Sequence, residues 1–427
     1  MDVAESVIRR MTRLAHEHDA VNLAQGFTDE PPLFDLVWAA VAAVLGGDQN
    51  QVDRLSTVSL RELLPGGATD PMLDRPLKWL LAGLQGSRDR LNQYSFPFGL
   101  LTLREAIADY TERLYGWRPD PEGEVTVTLG ATEGLASALA GVCNRGDRII
   151  VPQPYHEMYP AQAAVLGLEP VYVTLVENAK EGVWEFDRDE WAAVAAGGAR
   201  VLVLNTPHNP TGKVFSADDL AWLADIAHRY DLLVVTDEIY EHIVFDGNRH
   251  SSLGALPDMR SRTIVVNSIS KTGSATGWRV GWVISPRGHT PAIRAFHDTM
   301  VIQAPTPFQH AAVALLELDL RAYEEIRTAY VSKRDLLVGA LRKVGFGVSP
   351  PAGAYYVFAR YPGVPGIGGL SPMAAAQHLI ERVGVASVPG DNFYSSGDAG
   401  SRYLRFAFCR SLSTLEAAAS RLTSLVR

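Results

Sequence analysis

The sequence predicts an α/β fold: a large domain with a mostly parallel, seven-stranded sheet covered by helices on both faces, plus a smaller α/β domain formed by the N- and C-terminal segments. Two observations predict it. Seven short apolar runs lie at residues 125–129, 148–151, 171–175, 201–204, 232–236, 263–266 and 280–284. Helix-like segments at 131–143 and 217–230 separate several of these runs. Near-continuous apolar strands that alternate with helices are typical of a parallel sheet buried on both faces.

The two ends of the chain predict the smaller domain. Past residue 300 we expect one or two helices in 308–343, strands at 354–359 and 403–408, and helices at 372–383 and 413–426. Residues 1–19 are typical of an amphipathic helix and lack the apolar core of a signal peptide. We therefore expect an N-terminal segment (1–45) that joins the small domain, a large domain (46–300) and a small C-terminal domain (301–427).

Composition restricts the class of function. The chain has 427 residues and a net charge of −9, which gives no basis for binding nucleic acid or an anionic membrane surface. Cys143 and Cys409 are the only cysteines, so we expect neither a disulfide framework nor a metal site built on cysteine. No run approaches the roughly 18 apolar residues of a membrane span. A cytoplasmic protein without a metal is the default expectation.

Lys271 is the most distinctive residue of the chain. It follows the apolar run at 263–266 and lies among Ser, Thr and Gly residues. Ligands of parallel sheets bind beyond the carboxyl ends of the strands. An amine in that position can form a Schiff base with an aldehyde cofactor. The alternative is a solvated lysine in a serine-rich loop.

An acid and a phenol follow another predicted strand. Asp237 ends the run at 232–236, and Tyr240 comes three residues later. A carboxylate at the end of a buried strand is costly unless it meets a positive group. A protonated pyridinium nitrogen would be such a partner. A helix N-cap or a structural ion pair explains the pattern equally well.

Two segments offer groups for an anion. Ser268 and Arg279 flank Lys271, and a hydroxyl together with a guanidinium suits a phosphate. Ala131 and Thr132 lie in the sequence Gly-Ala-Thr-Glu-Gly between a predicted strand and a helix. The start of such a helix leaves backbone N–H groups available to an anion. A single glycine motif is weak evidence by itself.

An amide loop and a strand arginine complete the set. Asn209 lies in the run Asn-Thr-Pro-His-Asn-Pro-Thr-Gly at 205–212, which Pro and Gly hold in a fixed turn. Alone, this run is better explained as an ordinary turn. Arg405 lies in the apolar strand at 403–408 and needs a carboxylate partner, either inside the protein or on a ligand.

The motifs, in this order and spacing, resemble the fold-type-I pyridoxal-phosphate aminotransferases of class I/II. They are Asn209-Pro210-Thr211-Gly212, Asp237-x-x-Tyr240, Ser268-x-x-Lys271 and Arg279. Within that family the kynurenine/glutamine and methionine aminotransferase group is most similar. The matching pieces are Val-Asn-Leu-Ala-Gln-Gly-Phe at 21–27, Asn-Gln-Tyr at 92–94 and Ser-Ala-Thr-Gly-Trp at 274–278. The resemblance covers nearly the whole chain.

The resemblance implies an enzyme that moves an amino group from an α-amino acid to a 2-oxo acid. The large domain would bind pyridoxal 5′-phosphate, which Lys271 would carry as an internal aldimine. Lys271 would then serve as the general base at the substrate's Cα proton. Asp237 would keep the ring nitrogen protonated. Tyr240 and Asn209 would hydrogen-bond the phenolic oxygen of the ring.

The resemblance also implies roles for the anion-binding residues. Ser268, Arg279, Ala131 and Thr132 would hold the cofactor's phosphate. They would do so with a hydroxyl, a guanidinium and the start of a helix.

Substrate and subunit contacts follow from the same resemblance. Arg405 would bind the substrate's α-carboxylate bidentately, with Asn209 and the Gly26 backbone nearby. Tyr94 would reach the phosphate of the neighbouring subunit. This implies a homodimer with shared active sites.

The sequence departs from the family in two places. His156 occupies the position that usually carries an aromatic ring stacked on the cofactor. An imidazole can stack, but it can also titrate or donate a hydrogen bond. The stretch between Gln25 and Asn92 is about twice as long as usual, and its part at 46–88 is hypothesised to form an ordered cover over the active-site mouth. The alternative for 46–88 is a loose surface loop.

Two other functions compete with transamination. The first is a specialised pyridoxal-phosphate enzyme on the same fold, catalysing β- or γ-elimination, replacement, ring formation or oxidation in secondary-metabolite biosynthesis. The cofactor residues cannot separate it from an aminotransferase. The second is a non-catalytic effector-binding domain of a transcription regulator. We expect no DNA-binding module, because the first active-site element begins near Val21.

Overall fold

The computed structural model of the chain describes residues 7–24 and 94–426, together with positions 33, 36, 39–41 and 43. Helices and strands are numbered below along these described residues. The hypothesised cover at 46–88 and the substrate-binding prediction for Gly26 lie outside them.

The secondary structure alternates between strands and helices. The strands are β1 (Val21–Asn22), β2 (Val125–Thr128), β3 (Arg148–Gln153), β4 (Glu169–Asn178), β5 (Val183–Phe186), β6 (Val201–Asn205), β7 (Leu233–Asp237), β8 (Thr263–Ser268), β9 (Gly281–Ile284), β10 (Tyr356–Arg360), β11 (Val385–Ala386), β12 (Val388–Pro389) and β13 (Tyr403–Ala407). The helices are α1 (Val7–Glu17), α2 (Leu101–Tyr115), α3 (Gly130–Val142), α4 (Met158–Leu166), α5 (Arg188–Ala196), α6 (Ala217–Arg229), α7 (Thr290–Val301), α8 (Thr306–Leu316), α9 (Leu320–Lys343), α10 (Pro372–His378), α11 (Gly397–Gly400) and α12 (Leu412–Leu422).

The largest sheet confirms the predicted α/β class. Its strand order is β2-β9-β8-β7-β6-β3-β4-β5. Strand β3 pairs in parallel with β4 and β6, and β6 pairs in parallel with β7. The pairs β2–β9 and β4–β5 are antiparallel.

The predicted number of seven strands was wrong, because this sheet has eight. The additional strand is β5, which pairs only with β4 at the end of the strand order. Its exposed Val183 and Glu185 alternate with the buried Trp184. In a short edge strand of this kind, exposed and buried side chains alternate. The strand therefore has no continuous apolar run, and the apolar runs of the sequence did not predict it.

The chain forms two compact units. The first comprises Met1–Pro31, Cys143–Val265 and Asp319–Arg427, and the second comprises Pro32–Val142 and Val266–Leu318. The predicted domain boundaries at 45/46 and 300/301 differ from the boundaries of these two units. The predicted division into domains stays a prediction.

In the first unit, the chain ends build two smaller sheets. Strands β10, β13 and β12 form an antiparallel sheet with β13 in the middle, and β1 pairs in parallel with β11. Every residue of β13 after Tyr403 is buried. This explains why an arginine within it, Arg405, has to find polar partners inside the protein.

Capping side chains set several helix boundaries of the first unit. The Ser216 hydroxyl accepts a hydrogen bond from the Asp219 N–H at the start of α6, and the Asp219 carboxylate accepts one from the Ser216 N–H, which forms a capping box. The predicted helical stretch 308–343 is two helices, α8 and α9. The second begins after Asp319, whose carboxylate accepts from the Arg321 N–H at 2.8 Å.

In the second unit, α3 follows β2 and packs closely on α7. A Cβ atom at Gly141 would lie 2.5 Å from the Ile293 side chain, so only glycine allows the two helices to approach this far. None of the described helices combines the length and the apolar character that crossing a membrane requires.

Candidate active site

Asp237 is held at the carboxyl end of β7 in the first unit. It is 1% exposed, and its Oδ2 accepts a hydrogen bond from the Tyr159 hydroxyl at 2.8 Å. Its backbone carbonyl accepts from Asn205 Nδ2 at 2.9 Å, across the parallel β6–β7 pair. Burial raises the pKa of Tyr159 well above its ordinary value, and the Asp237 charge adds to this shift. Tyr159 therefore stays protonated and donates to the carboxylate.

Asn209 is fixed in the loop that follows β6. Its backbone N–H donates to Asn205 Oδ1 at 2.7 Å, and its side chain is buried. His208 Nδ1 lies 2.8 Å from the Thr211 hydroxyl. Burial lowers the pKa of His208 to about 3, with a further contribution from the Lys213 charge, so the imidazole is neutral. The loop is thus a rigid support for the Asn209 amide.

Arg405 contacts that amide directly. Its Nη1 donates to Asn209 Oδ1 at 2.8 Å and its Nη2 donates to the Ala24 carbonyl at 3.0 Å. The guanidinium lies over the rings of Tyr356 and Phe393, at 4.3 Å and 4.8 Å from their centroids. These contacts hold a cation that is only 1% exposed.

The described partners of Arg405 bear on the two alternatives that the sequence left open. No carboxylate pairs with it among the described residues, and its Nε has no hydrogen-bond partner there. The alternative of an internal ion pair is therefore not realised in the described part of the chain. A guanidinium buried without an anion suits the carboxylate of a ligand.

Tyr240 and His156 also lie in the first unit. Tyr240 is buried and donates to the Tyr356 hydroxyl at 3.3 Å, and burial raises its pKa well above the ordinary value. His156 is half-buried, and its ring meets the Tyr159 ring edge-on with centroids 5.8 Å apart. Stacking of His156 on a cofactor stays a prediction.

Lys271 follows β8 in the second unit. It is half-buried, whereas Ser268, Ser270 and Thr272 around it are buried. Ser268 Oγ accepts from the Ser270 N–H at 3.3 Å and so shapes the turn. A turn with buried hydroxyls differs from a solvated serine-rich loop, which weakens the surface alternative for Lys271.

Arg279 lies against the first turn of α3. Its Nη1 donates to the Thr276 carbonyl at 2.9 Å and its Nη2 donates to the Leu129 carbonyl at 3.5 Å. Burial lowers its pKa, and no carboxylate among the described residues pairs with it. A Cβ atom at Gly130 would lie 2.4 Å from Arg279 Nη2, and Gly130 has a φ of +74°. Glycine is therefore required for the guanidinium to approach the helix start.

The other phosphate candidates are placed as follows. Ala131 is buried in the first turn of α3, next to Gly130, and Thr132 is exposed. Tyr94 is 75% exposed. The next residue, Ser95, is bonded through its hydroxyl to Gln303 Oε1 at 2.6 Å and to Gln309 Nε2 at 3.0 Å.

The described residues include suitable partners for the phosphate and the ring nitrogen of pyridoxal phosphate, and for the carboxylate of a substrate. Arg279 lies beside a helix start and pairs with no carboxylate in the described part of the chain, which suits a phosphate. Asp237 is a buried carboxylate, as a protonated ring nitrogen requires. Arg405 Nε has no hydrogen-bond partner among the residues that the structure describes, which suits a substrate carboxylate.

Sequence reasoning missed two residues of the site. Tyr159 contacts Asp237, and Tyr356 contacts both Tyr240 and Arg405. Both tyrosines belong to aromatic segments that predict core packing equally well. A buried tyrosine hydroxyl needs a hydrogen-bond partner. This requirement was the available signal that each of the two tyrosines bonds to a distant polar group.

Known proteins match the chain along most of its length. The family model for aminotransferases of class I and II matches residues 67–422. A probable N-succinyldiaminopimelate aminotransferase of Mycobacterium tuberculosis is 32% identical over 99% of this chain and 96% of its own length. The methionine aminotransferase of Escherichia coli is 32% identical over 98% and 96%, and the human kynurenine–oxoglutarate transaminase 1 is 30% identical over 96% and 93%.

A solved structure agrees with these relatives. The N-succinyldiaminopimelate aminotransferase structure from Mycobacterium tuberculosis superposes with a TM-score of 0.85 at 32% identity, covering 99% of this chain and 97% of that one. The resemblance inferred from the motifs is confirmed. The chain belongs to the aminotransferase family of class I and II.

Proposed function

We propose that this aminotransferase moves an amino group from an α-amino acid to a 2-oxo acid, with pyridoxal 5′-phosphate held on Lys271. The family and its fold imply dependence on this cofactor. The observation that carries the proposal is the Arg405–Asn209 contact. It presents a buried cation without a carboxylate partner among the described residues. An α-carboxylate supplies that missing charge in the planar, two-oxygen form that a guanidinium prefers.

We assign the phosphate-holding roles to residues of the second unit. Arg279, Ser268 and the helix start at Ala131 and Thr132 would hold the phosphate. Arg279 has the strongest support, since it lacks an anion among the described residues.

A second set would hold the ring. Asp237, fixed by Tyr159, would accept a hydrogen bond from the ring nitrogen and keep it protonated. Tyr240 and Asn209 would donate to the phenolic oxygen, and His156 would lie on the ring. Because Tyr240 is buried with a raised pKa, its hydroxyl keeps the proton that it would donate.

When bound, pyridoxal phosphate supplies an aldehyde for amines and a ring that withdraws electrons from the substrate's Cα. Lys271 Nζ would first hold the cofactor and then, once released by the substrate's amine, take the proton from Cα. Arg405 would orient the substrate by its carboxylate. Correct orientation brings Cα within reach of one base and is a large part of the rate acceleration.

The Arg405 role predicts a specific kinetic change. Arg405→Lys should raise KM for an α-amino acid about tenfold or more and leave kcat less affected, because a point charge replaces a planar fork of donors. Steady-state kinetics with varied amino acid measures this. Arg410→Lys is a matched control, since Arg410 is also buried and donates to the Asn22 carbonyl. An unchanged KM in Arg405→Lys would remove Arg405 from the substrate site.

A substrate panel tests the proposed function as a whole. Purified protein is mixed with a set of amino acids that includes methionine, kynurenine and N-succinyldiaminopimelate, because the names of the relatives reported above point to these three. Formation of the 2-oxo acid and conversion of the cofactor to its pyridoxamine form are measured together. Pyridoxamine formed in step with the oxo acid supports transamination. An oxo acid formed without it would indicate elimination or oxidation.

The competing pyridoxal-phosphate reactions receive no support from the comparisons. The relatives reported above are all named as aminotransferases or transaminases. We therefore favour transamination over elimination, replacement, ring formation and oxidation. A cytoplasmic location and the absence of nucleic-acid and membrane partners stay predictions from the net charge and composition.

We also propose a homodimer in which Tyr94 of one subunit serves the phosphate of the other. Tyr94 and Phe96 are 75% and 58% exposed, yet Ser95 between them is anchored by two glutamines. Exposed aromatic rings on an anchored segment suit a subunit interface. Light scattering should give the mass of a dimer, and Tyr94→Phe should weaken cofactor retention. A fully active monomer would contradict the shared site.

A further inference from the structure

A buried histidine of the second unit ties together two segments that the proposed function assigns to phosphate binding. His297 is 0% exposed on α7. Its Nδ1 lies 3.0 Å from Glu133 Oε2, and its Nε2 lies 3.0 Å from the Pro97 carbonyl oxygen. Glu133 is in the first turn of α3, two residues from Ala131. Pro97 is three residues after Tyr94.

The two hydrogen bonds determine the charge of His297. A neutral imidazole has one N–H, so one of its nitrogens would turn a lone pair toward an oxygen. Both contacts are favourable only when both nitrogens carry protons. Glu133 Oε2 also accepts from the Leu129 N–H at 2.9 Å, so this oxygen acts as an acceptor toward both partners. The two contacts therefore favour the imidazolium form of His297.

The electrostatic surroundings agree with this charge. Burial, the largest single contribution, lowers the pKa of His297, but the hydrogen bond and charge of Glu133, the Pro97 carbonyl and Asp298 together raise it above its ordinary value. Glu133 acts from α3 and Asp298 from α7 itself. Arg294, one turn earlier on α7, lies over the Phe98 ring at 4.1 Å.

The same segment is anchored on both sides of Pro97. Ser95 is bonded to Gln303 and Gln309, and the Leu100 N–H donates to Gln309 Oε1 at 2.8 Å. These bonds are neutral and go to α8 or the residues just before it. The contact of His297 with Pro97 is the charge-assisted one, and it connects the segment to the start of α3.

We propose that His297 is a positioning residue for the cofactor's phosphate. As an imidazolium it holds the helix start that carries Ala131 and Thr132, assigned to the phosphate of its own subunit, in register with the segment that carries Tyr94, assigned to the phosphate of the neighbouring subunit. This inference rests on the proposed function, which assigns both segments to phosphate binding. His297 touches neither substrate nor cofactor in this scheme, so its loss weakens cofactor retention and leaves the chemical step intact.

The test measures cofactor affinity, not only activity. His297→Gln should bind pyridoxal phosphate about tenfold or more weakly in titrations of the apoenzyme, because a charge-assisted hydrogen bond is lost. At saturating cofactor its kcat should stay close to that of the parent. Inorganic phosphate should raise the melting temperature of the parent apoenzyme more than that of the variant. His228→Gln, which removes a surface histidine 3.4 Å from Asp258, is the matched control and should change none of these.

A second variant covers the case in which His297→Gln does not fold, because that change removes the partner of the half-buried Glu133. The double variant His297→Gln/Glu133→Gln pairs two neutral amides and should fold, while still binding the cofactor more weakly than the parent. The parent should bind pyridoxal phosphate more tightly than His297→Gln at low pH. This difference in affinity should shrink as the pH rises through the raised pKa of His297, because the imidazolium then loses its charge.

The outcomes separate this inference from the proposed function. If the parent binds no pyridoxal phosphate at all, the proposed function fails. If the parent binds it on Lys271 and the folded variants bind it equally well at every pH, His297 has a purely structural role and this inference is overturned. A fall in kcat at saturating cofactor with unchanged affinity would overturn it as well.

Discussion

Lys271→Ala should abolish the covalent attachment of pyridoxal phosphate and lower turnover by about a thousandfold or more. The variant loses both the amine that holds the cofactor and the base that takes the Cα proton. Alanine cannot replace either function. The absorbance spectrum, the protein mass after borohydride reduction and kcat on the best substrate of the panel measure the three consequences.

The control for Lys271→Ala is another lysine that is not solvated. Lys333 is buried on α9, with its amine 5.2 Å from the Tyr330 ring centroid. Lys333→Ala should keep the covalent cofactor even if it lowers the melting temperature. A small primary amine added to Lys271→Ala should restore part of the proton transfer. A borohydride-trapped peptide that contains a different lysine would refute the assignment.

The sheet could be predicted because its central strands are buried from end to end. All residues of β6 and of β8 are buried, so each strand requires a continuous apolar run, with polar residues only at the strand ends. Strands at the edge of the sheet, and those next to the edge, lack this requirement. Strand β4 runs over ten residues, and its exposed and half-buried ends carry Glu169 and Asn178, which is why the predicted run at 171–175 was too short.

Contacts between distant residues mark the limit of sequence reasoning about the site. The motif spacing placed Asp237 at a strand end, but Tyr159, 78 residues earlier, holds its carboxylate. The His297–Glu133 pair is 164 residues apart. The hydrophobic periodicity of a helix or strand shows which of its faces is buried. It does not show which distant side chain contacts that face. The Asn209–Arg405 contact, 196 residues apart, was anticipated only through the family resemblance.

Asp237→Asn should leave the fold and cofactor binding largely intact and lower kcat by about a hundredfold or more. The amide can still accept the Tyr159 hydrogen bond through its oxygen, so the local structure survives. It cannot stabilise a proton on the ring nitrogen, because an amide lacks the negative charge of the carboxylate. The ring then withdraws electrons less strongly from Cα, and removal of the Cα proton slows.

The neighbouring carboxylate provides a matched control for Asp237→Asn. Glu238 is fully buried and accepts hydrogen bonds from Thr236 at 2.8 Å and Ser252 at 2.9 Å, with His250 Nε2 at 3.0 Å. Its partners lie within the protein, so Glu238→Gln should lower the melting temperature but keep most of kcat. Asp237→Asn should show the opposite pattern.

A cofactor analogue gives the decisive measurement for Asp237. Methylation of the ring nitrogen creates a positive charge that needs no proton and no carboxylate. Loaded into Asp237→Ala, which leaves room for the methyl group, the analogue should restore much of the turnover that natural pyridoxal phosphate loses in that variant. If Asp237→Asn keeps near-normal kcat on a transamination substrate, or if the methylated analogue restores nothing, Asp237 does not act through a protonated ring nitrogen. Its burial and its bond to Tyr159 would then serve the stability of the strand end alone.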